Sequence, residues 1–189
     1  MKKFARIALA VLLGTVSAPV YASSNNNTLG GDNSDDIGVG FIWQDQYNDP
    51  LLMPKNIRAT GERVFVFSPR ARQWAAYNGS GQLVGYGRAN GGGDYCAELG
   101  EPCLTEGGRF RVFRKGDAGC VSKTFPLDQG GGAAMPYCMF FNNGAAIHGS
   151  PQLSLMNSSH GCIRVTTPSA EWLSSNFIKM GTRVLVTSY

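Results

Sequence analysis

The feature that most constrains the fold is a series of short apolar runs separated by glycine-containing turns. The runs are rich in β-branched and aromatic residues, which is typical of strands. An Asn-Gly-Ser-Gly segment at 78–81 lies between two of them and predicts a hairpin turn. The pattern predicts a mainly β fold, a sandwich or a barrel. The runs cover residues 63–67, 73–77, 82–88, 109–114, 138–141, 145–148 and 183–187.

One short helix is predicted near the C-terminus. Thr167 is its expected N-cap, with Pro168 at the first helical position and Glu171 in the first turn. Gly181 is the expected stop. Between these signals the apolar residues are Trp172, Leu173, Phe177 and Ile178. The strand and helix alternation of a fully parallel sheet is missing from the chain.

The first 60 residues divide into three segments by composition. Residues 1–22 have a basic start, a short apolar core and small residues before Ala22, so we expect a signal peptide cleaved after Ala22. Residues 23–36 are polar and predict a flexible leader. Residues 37–60 are predicted to be an N-terminal extension to which no structure or role is assigned, and the folded domain is placed at 61–189.

These segments also predict a location. A retained N-terminal anchor is the alternative to a signal peptide, but the apolar run is too short to span a membrane. We therefore expect an exported protein of the periplasm or cell envelope, with no stable membrane insertion after cleavage. No prediction is made for its oligomeric state.

The charge balance argues against nucleic acid as a partner. The formal net charge is +4, from 17 Lys and Arg against 13 Asp and Glu. Three of the basic residues, Lys2, Lys3 and Arg6, lie in the predicted signal peptide. The remaining chain is close to neutral and has no net field to recruit phosphate backbones.

Five cysteines leave at least one thiol without a partner in the chain. Cys162 stands apart beside a histidine and is the expected free thiol. The other four lie among loop residues, and neighbouring cysteines close small loops, so we predict that Cys96 pairs with Cys103 and Cys120 with Cys138. Two other connectivities of these four remain possible, as does a bridge that includes Cys162.

Both histidines of the chain lie close to Cys162 in the sequence. His148 follows an apolar run, and His160 is two residues before Cys162. A thiol needs a base or a cation nearby to act as a nucleophile, and either imidazole could serve. Two alternatives stay open. Both histidines could be ordinary polar residues, or they could bind zinc together with Cys162, although the paired spacings of zinc ligands are absent.

Two segments resemble the signature of the L,D-transpeptidase (YkuD-type) catalytic domain, a family of enzymes that remodel bacterial peptidoglycan. They are AAIHGS at 145–150 and SSHGCIRV at 158–165. A looser resemblance runs from Arg63 through RANGGG and TEGGRFRV to GTRVLV near the C-terminus. The cysteines near Gly100 and Gly119 are not part of that signature.

The resemblance implies a mainly β catalytic domain without a metal or organic cofactor, and a role for each matching residue. Cys162 matches the nucleophile and His148 the general base and acid. Gly149 matches the position whose backbone carbonyl orients that imidazole. The remaining matches are Ser159, His160 and Gly161, which shape the nucleophile loop, and Arg164, the polar residue beneath the site.

The resemblance also implies a reaction on peptidoglycan stem peptides. The carbonyl of the L-centre of a diamino acid would acylate Cys162 with release of D-alanine, and an amine would then take the acyl group. Water in place of the amine would make the enzyme an L,D-carboxypeptidase. A noncatalytic, disulfide-stapled protein that binds the envelope is the alternative from another class.

Overall fold

The computed structural model describes residues 42–189, so the expectations for 1–22 and 23–36 lie outside the described residues. These residues form a mainly β fold, a curled sheet with one helix near the C-terminus, which confirms the predicted fold class. Within residues 42–189 no helix is long and apolar enough to cross a membrane.

Ten strands and one α-helix are present between residues 42 and 189. The strands are β1 (Trp43–Gln44), β2 (Val64–Ser68), β3 (Gln73–Tyr77), β4 (Leu83–Asn90), β5 (Gly108–Arg111), β6 (Arg114–Lys115), β7 (Met139–Asn142), β8 (Ala145–Ser150), β9 (Ile163–Thr166) and β10 (Arg183–Val186), and the helix is α1 (Thr167–Trp172). Along the sheet the strand order is β5-β10-β2-β3-β4-β9-β8-β7-β6, and β1 lies beside β4.

The pairing in the sheet is mixed. Most neighbours are antiparallel, including the β3–β4 hairpin predicted from the turn at 78–81. Three pairs are parallel: β1 with β4, β2 with β10, and β8 with β9. Parallel strands need a long connection rather than a tight turn, and here the connection from β8 to β9 is a loop.

Alternating side chains of β2 and β3 build two apolar layers. Phe65 on β2 and Trp74 on β3 are buried in the main core. Their neighbours Val66 and Ala75 point to the opposite face, into a second cluster. Because both faces of these strands are covered, the runs are apolar throughout instead of alternating with polar residues.

The described part of the N-terminal extension covers the second apolar layer. Leu51, Met53 and Ile57 pack against it. The Tyr77 hydroxyl donates a hydrogen bond to the Pro54 carbonyl at 2.7 Å. The Gln73 amide donates to the Pro50 carbonyl, also at 2.7 Å. Residues 42–60 show no regular spacing of apolar residues. These contacts hold them against the face of the sheet that carries the second apolar layer.

The predicted start, first turn and end of the helix differ from the structure. The N-cap of α1 is Thr166, not Thr167, because β9 ends at Thr166 in an extended conformation and its side chain accepts a hydrogen bond from Ser169 N at 3.1 Å. The first turn accordingly holds no acidic residue, so Glu171 lies beyond it. The α-helix continues as a π-type turn, Leu173–Phe177, and ends ahead of Gly181.

The predicted run 109–114 is two strands. β5 pairs with β10, whereas β6 pairs with β7, so the chain changes partner between them. Val112 lies at the change and is buried, and its N–H donates to the Thr182 carbonyl at 3.0 Å. A single straight strand could not satisfy both partners.

Candidate active site

A cleft of about 730 Å³ lies beside β8 and β9 and is flanked by residues 116–138, which we call the lid. Most of the residues singled out in the sequence line it. They are His148, Ser159, His160, Gly161, Cys162 and Arg164, together with Cys120 and Cys138 of the lid. Gly149 lies in β8 next to His148.

The parallel pairing of β8 with β9 brings these residues together. His148 on β8 is in register with Arg164 on β9. Cys162 immediately precedes β9, and the backbone N–H of Ala146, on β8, hydrogen-bonds to its sulfur. Side chains from two motifs that are separate in the sequence therefore share one end of the cleft.

His148 is buried, and one ring nitrogen is held by the backbone. Its Nδ1 lies 2.9 Å from the Gly149 carbonyl oxygen. A carbonyl can only accept, so Nδ1 carries the proton and Nε2 is the acceptor of the neutral ring. Burial lowers the pKa of His148 to about 4, and the charge of Arg164 acts in the same direction. The imidazole is therefore neutral at neutral pH and able to accept a proton.

Gly149 fixes the carbonyl that holds this ring. Its N–H donates to the Pro136 carbonyl at 2.8 Å. A Cβ at this position would lie 3.0 Å from the backbone Cα of Thr167 and 3.0 Å from Cγ of Pro136. A side chain would have to displace the start of α1 or the end of the lid, so the position favours glycine.

Cys162 is the free cysteine among the described residues. It packs against an apolar cluster that includes Met135 and Phe140. Burial raises the pKa of the Cys162 thiol, although the Ala146 N–H and the charge of Arg164 favour the thiolate. The site at rest therefore holds a neutral thiol and a neutral imidazole, and not a thiolate–imidazolium pair.

The loop before Cys162 is seated on the glycine run 91–93. The backbone N–H of Ser159 donates to the Gly91 carbonyl at 2.9 Å, and its carbonyl accepts from Gly93 N at 3.0 Å. The Ser159 hydroxyl, which is buried, donates to the Cys162 carbonyl at 2.5 Å. Gly161 has a φ of 99°, a left-handed conformation that favours glycine. The glycine run therefore supports the loop that precedes Cys162.

His160 has different neighbours from His148. Its ring stacks on Phe125 of the lid, with centroids 4.1 Å apart and an interplanar angle of 15°. Its Nε2 forms a hydrogen bond with the carboxylate of Glu98. Neither partner was predicted from the sequence, because both are remote from His160 along the chain. The two histidines therefore differ in their contacts: His148 is held by a backbone carbonyl, whereas His160 contacts two side chains.

The disulfides have the predicted connectivity. Cys96 is bonded to Cys103, and Cys120 to Cys138. The second bridge closes the lid, and both of its cysteines line the cleft. The first closes a loop beside His160, because Glu98 lies within it.

One group of possible metal ligands occurs among residues 42–189. It consists of Cys96, Glu98 and His160, whose ligand atoms all lie within 4.8 Å of one another. The sulfur of Cys96 is part of a disulfide and is not available as a thiolate. The combination of His148, His160 and Cys162 does not form such a group in this part of the chain.

Several solved structures with the same fold are of L,D-transpeptidases. A fragment (residues 123–326) of the L,D-transpeptidase of Xylanimonas cellulosilytica matches with a TM-score of 0.58 and 26% identity, over 69% of this chain and 63% of that one. An L,D-transpeptidase of Mycobacterium tuberculosis matches with a TM-score of 0.54 and 23% identity, over 67% and 57%.

A third match is an L,D-transpeptidase of Stackebrandtia nassauensis, with a TM-score of 0.56 and 16% identity over 71% and 59% of the two chains. This chain spans about three-fifths of the length of these solved relatives. No curated protein sequence matches it significantly. The family model of the L,D-transpeptidase catalytic domain (YkuD) matches residues 37–186, which includes the whole N-terminal extension, residues 37–60. Because this match covers well over half of the sequence, the chain belongs to the L,D-transpeptidase catalytic domain family.

Proposed function

We propose that this protein is a cysteine L,D-transpeptidase that acts on peptidoglycan stem peptides. The observation that carries the proposal is the hydrogen bond from His148 Nδ1 to the Gly149 carbonyl. It leaves Nε2 as the proton acceptor in a cleft that also holds the free thiol of Cys162. Family membership supports the same chemistry.

The first half of the reaction transfers one proton and forms one bond. The sulfur of Cys162 attacks the carbonyl of the donor's L-centre while Nε2 of His148 takes the thiol proton. The backbone N–H groups of Gly161 and Cys162 are the candidate donors to the oxyanion. When the carbon–nitrogen bond breaks, the imidazolium gives its proton to the departing amine of D-alanine. A depressed imidazolium pKa favours this step, because the ring releases its proton readily.

In the second half of the reaction the thioester is broken and the Cys162 thiol is regenerated. An amine of a second stem peptide attacks the thioester, His148 takes its proton, and the Cys162 sulfur leaves and recovers a proton. Water in place of the amine would make the protein an L,D-carboxypeptidase. No step requires a metal or an organic cofactor.

The charge of the cleft suits an anionic peptide. Arg114, Lys123 and Arg164 line it, and none of them is within ion-pair distance of a carboxylate among residues 42–189. The acidic residue of the lining, Glu106, accepts a hydrogen bond from the Asn142 amide at 2.6 Å. Stem peptides carry free carboxylates, so we assign these three cations to substrate binding.

The substrate and the cysteines together suggest where the protein works. Peptidoglycan lies outside the cytoplasm, and disulfides persist in oxidising compartments. Two disulfides are present in the described chain. We therefore place the protein in the periplasm or the cell envelope, as the signal-like residues 1–22 suggest.

The test is incubation of the purified protein with a disaccharide-tetrapeptide and analysis of the products by mass. A cross-linked dimer with loss of D-alanine identifies a transpeptidase, whereas the tripeptide alone identifies a carboxypeptidase. We expect Cys162→Ala to form no acyl-enzyme and His148→Ala to form it about 100- to 10,000-fold more slowly. Full turnover by Cys162→Ala, or binding without conversion by the wild type, would contradict the proposal.

A further inference from the structure

The lid is braced internally. Ser122 N donates to the Ala133 carbonyl at 2.8 Å, and Ala133 N donates to the Phe125 carbonyl at 2.9 Å. The disulfide between Cys120 and Cys138 joins the two sides of the lid below these bonds. Phe125 is therefore presented on a structured segment, and its ring position is set by the lid as a whole.

Phe125 meets the nucleophile loop at His160. The two rings are stacked at 4.1 Å, which is contact distance, and both residues line the cleft. Since His160 lies two residues before Cys162, this stack joins the lid to the segment that carries the thiol. The ring pair forms part of the cleft wall at that point.

Glu98 forms a hydrogen bond with the edge of the same imidazole ring. The Nε2–H of His160 donates to its carboxylate, and this hydrogen bond lowers the pKa of Glu98 from its usual value. Glu98 belongs to the loop closed by the Cys96–Cys103 disulfide. That loop is tied to the seat of the nucleophile loop, because Cys103 N donates to the Gly93 carbonyl at 3.2 Å. Three segments therefore meet at one ring.

We propose that Glu98 and Phe125 are positioning residues that act through His160 to hold the lid closed beside Cys162. Glu98 fixes the orientation of the imidazole, and Phe125 stacks on the face that this orientation presents. We call the three residues the clasp. Loss of Phe125 opens the cleft, whereas loss of Glu98 also frees the loop that carries Cys162. The inference rests on the proposed role of Cys162 as the nucleophile.

The two residues should affect different kinetic constants. Without Phe125 the lid no longer confines the substrate, so Phe125→Ala should raise KM about three- to tenfold and change kcat less than about twofold. Glu98→Ala should lower kcat about three- to tenfold, because the amides before Cys162 lose their fixed placement. Phe125→Tyr and Glu98→Gln keep the ring and a hydrogen-bond acceptor, and both should restore most of the wild-type behaviour.

Labelling of the Cys162 thiol tests the clasp without any turnover. We expect Phe125→Ala and Glu98→Ala to react about three- to tenfold faster than the wild type with a bulky fluorescein maleimide. With iodoacetamide, a small reagent, the increase should be smaller. Glu101→Ala is the matched control, because Glu101 is an exposed carboxylate in the same disulfide loop, and it should react like the wild type.

The outcomes separate this inference from the proposed function. If Phe125→Ala and Glu98→Ala label at the wild-type rate with both reagents, the clasp is refuted whatever the enzyme does. If both label faster with the bulky reagent and the conservative variants do not, the clasp is supported even where the wild type fails to convert a muropeptide. That failure would overturn the proposed function alone. Equal acceleration by Glu101→Ala would also refute the clasp.

Discussion

The neutral state of His148 has a consequence for stability that can be measured directly. Burial lowers its pKa from 6.5 to about 4 in the folded protein. Between these two values the unfolded chain binds a proton at His148 that the folded protein does not. Protonation therefore favours unfolding, and the contribution of His148 is complete above about pH 6.5 and is lost as the pH falls towards 4.

The size of the effect follows from the two pKa values. Linkage gives a loss of about 2 kcal/mol in the free energy of unfolding between pH 7 and pH 5, and about 3 kcal/mol by pH 4. His148 is only 6% exposed, so solvent screens this contribution little. Carboxylates such as Asp49, whose pKa is lowered by its hydrogen bond to Arg88, add their own loss of stability in acid.

A matched variant isolates the histidine. In His148→Gln the side chain does not titrate, so the difference in unfolding free energy between wild type and variant should shift by about 2 kcal/mol from pH 7 to pH 5. Urea unfolding at the two pH values measures it. Parallel pH dependence in the two proteins would refute the reasoning, as would an NMR titration that places the pKa of the folded imidazole near 6.5.

Three further predictions concern the two disulfides, Gly149 and export. Replacing Cys120 and Cys138 by alanine should lower the free energy of unfolding by about 3 kcal/mol, and replacing Cys96 and Cys103 by about 2.4 kcal/mol, because the bridges span 18 and 7 residues; a larger loss for the shorter bridge in thermal unfolding would contradict this. Gly149→Ala should cost about 1–3 kcal/mol and slow acylation of Cys162 by more than about tenfold, since its Cβ meets backbone 3.0 Å away; unchanged acylation would show that the carbonyl does not orient the ring. The exported protein should begin at Ser23 and take up one alkylating label, on Cys162, in intact mass analysis, and a label on any other cysteine would disprove the assignment of the free thiol.

Local sequence patterns predicted the strands whose pairing is set by an adjacent turn. The run 73–77 and the turn at 78–81 gave β3 and its hairpin, because tight turns between adjacent strands follow from the residues at the turn. β9 was not predicted as a strand. Its partner in the parallel pair, β8, lies across a long loop, and four residues carry too little pattern of their own. The packing of residues 42–60 was likewise not predicted, because these residues pack against a sheet face formed by strands that come later in the sequence.

The candidate site divides in the same way. Cys162 and His148 stand in recognisable motifs, and the hydrogen bond between Nδ1 and Gly149 involves adjacent residues. Glu98 and Phe125 have no motif, and only the folded chain brings them to His160. The charge states also required the structure, since sequence gives the residue types but not the burial that moves both pKa values.

The burial of Cys162 has a chemical consequence for its neighbours. Cys162 packs against the same apolar cluster as Cys120 and Cys138, so a free thiol and a disulfide share one small environment. Thiol–disulfide exchange requires a thiolate, so it becomes slower as the ionised fraction of the thiol decreases. The raised pKa of Cys162 keeps that fraction low. In the proposed mechanism, His148 removes the proton only when the thiol attacks a substrate carbonyl. The same burial that would make Cys162 depend on a base in the proposed reaction thus favours the coexistence of a free thiol and a disulfide within one cleft.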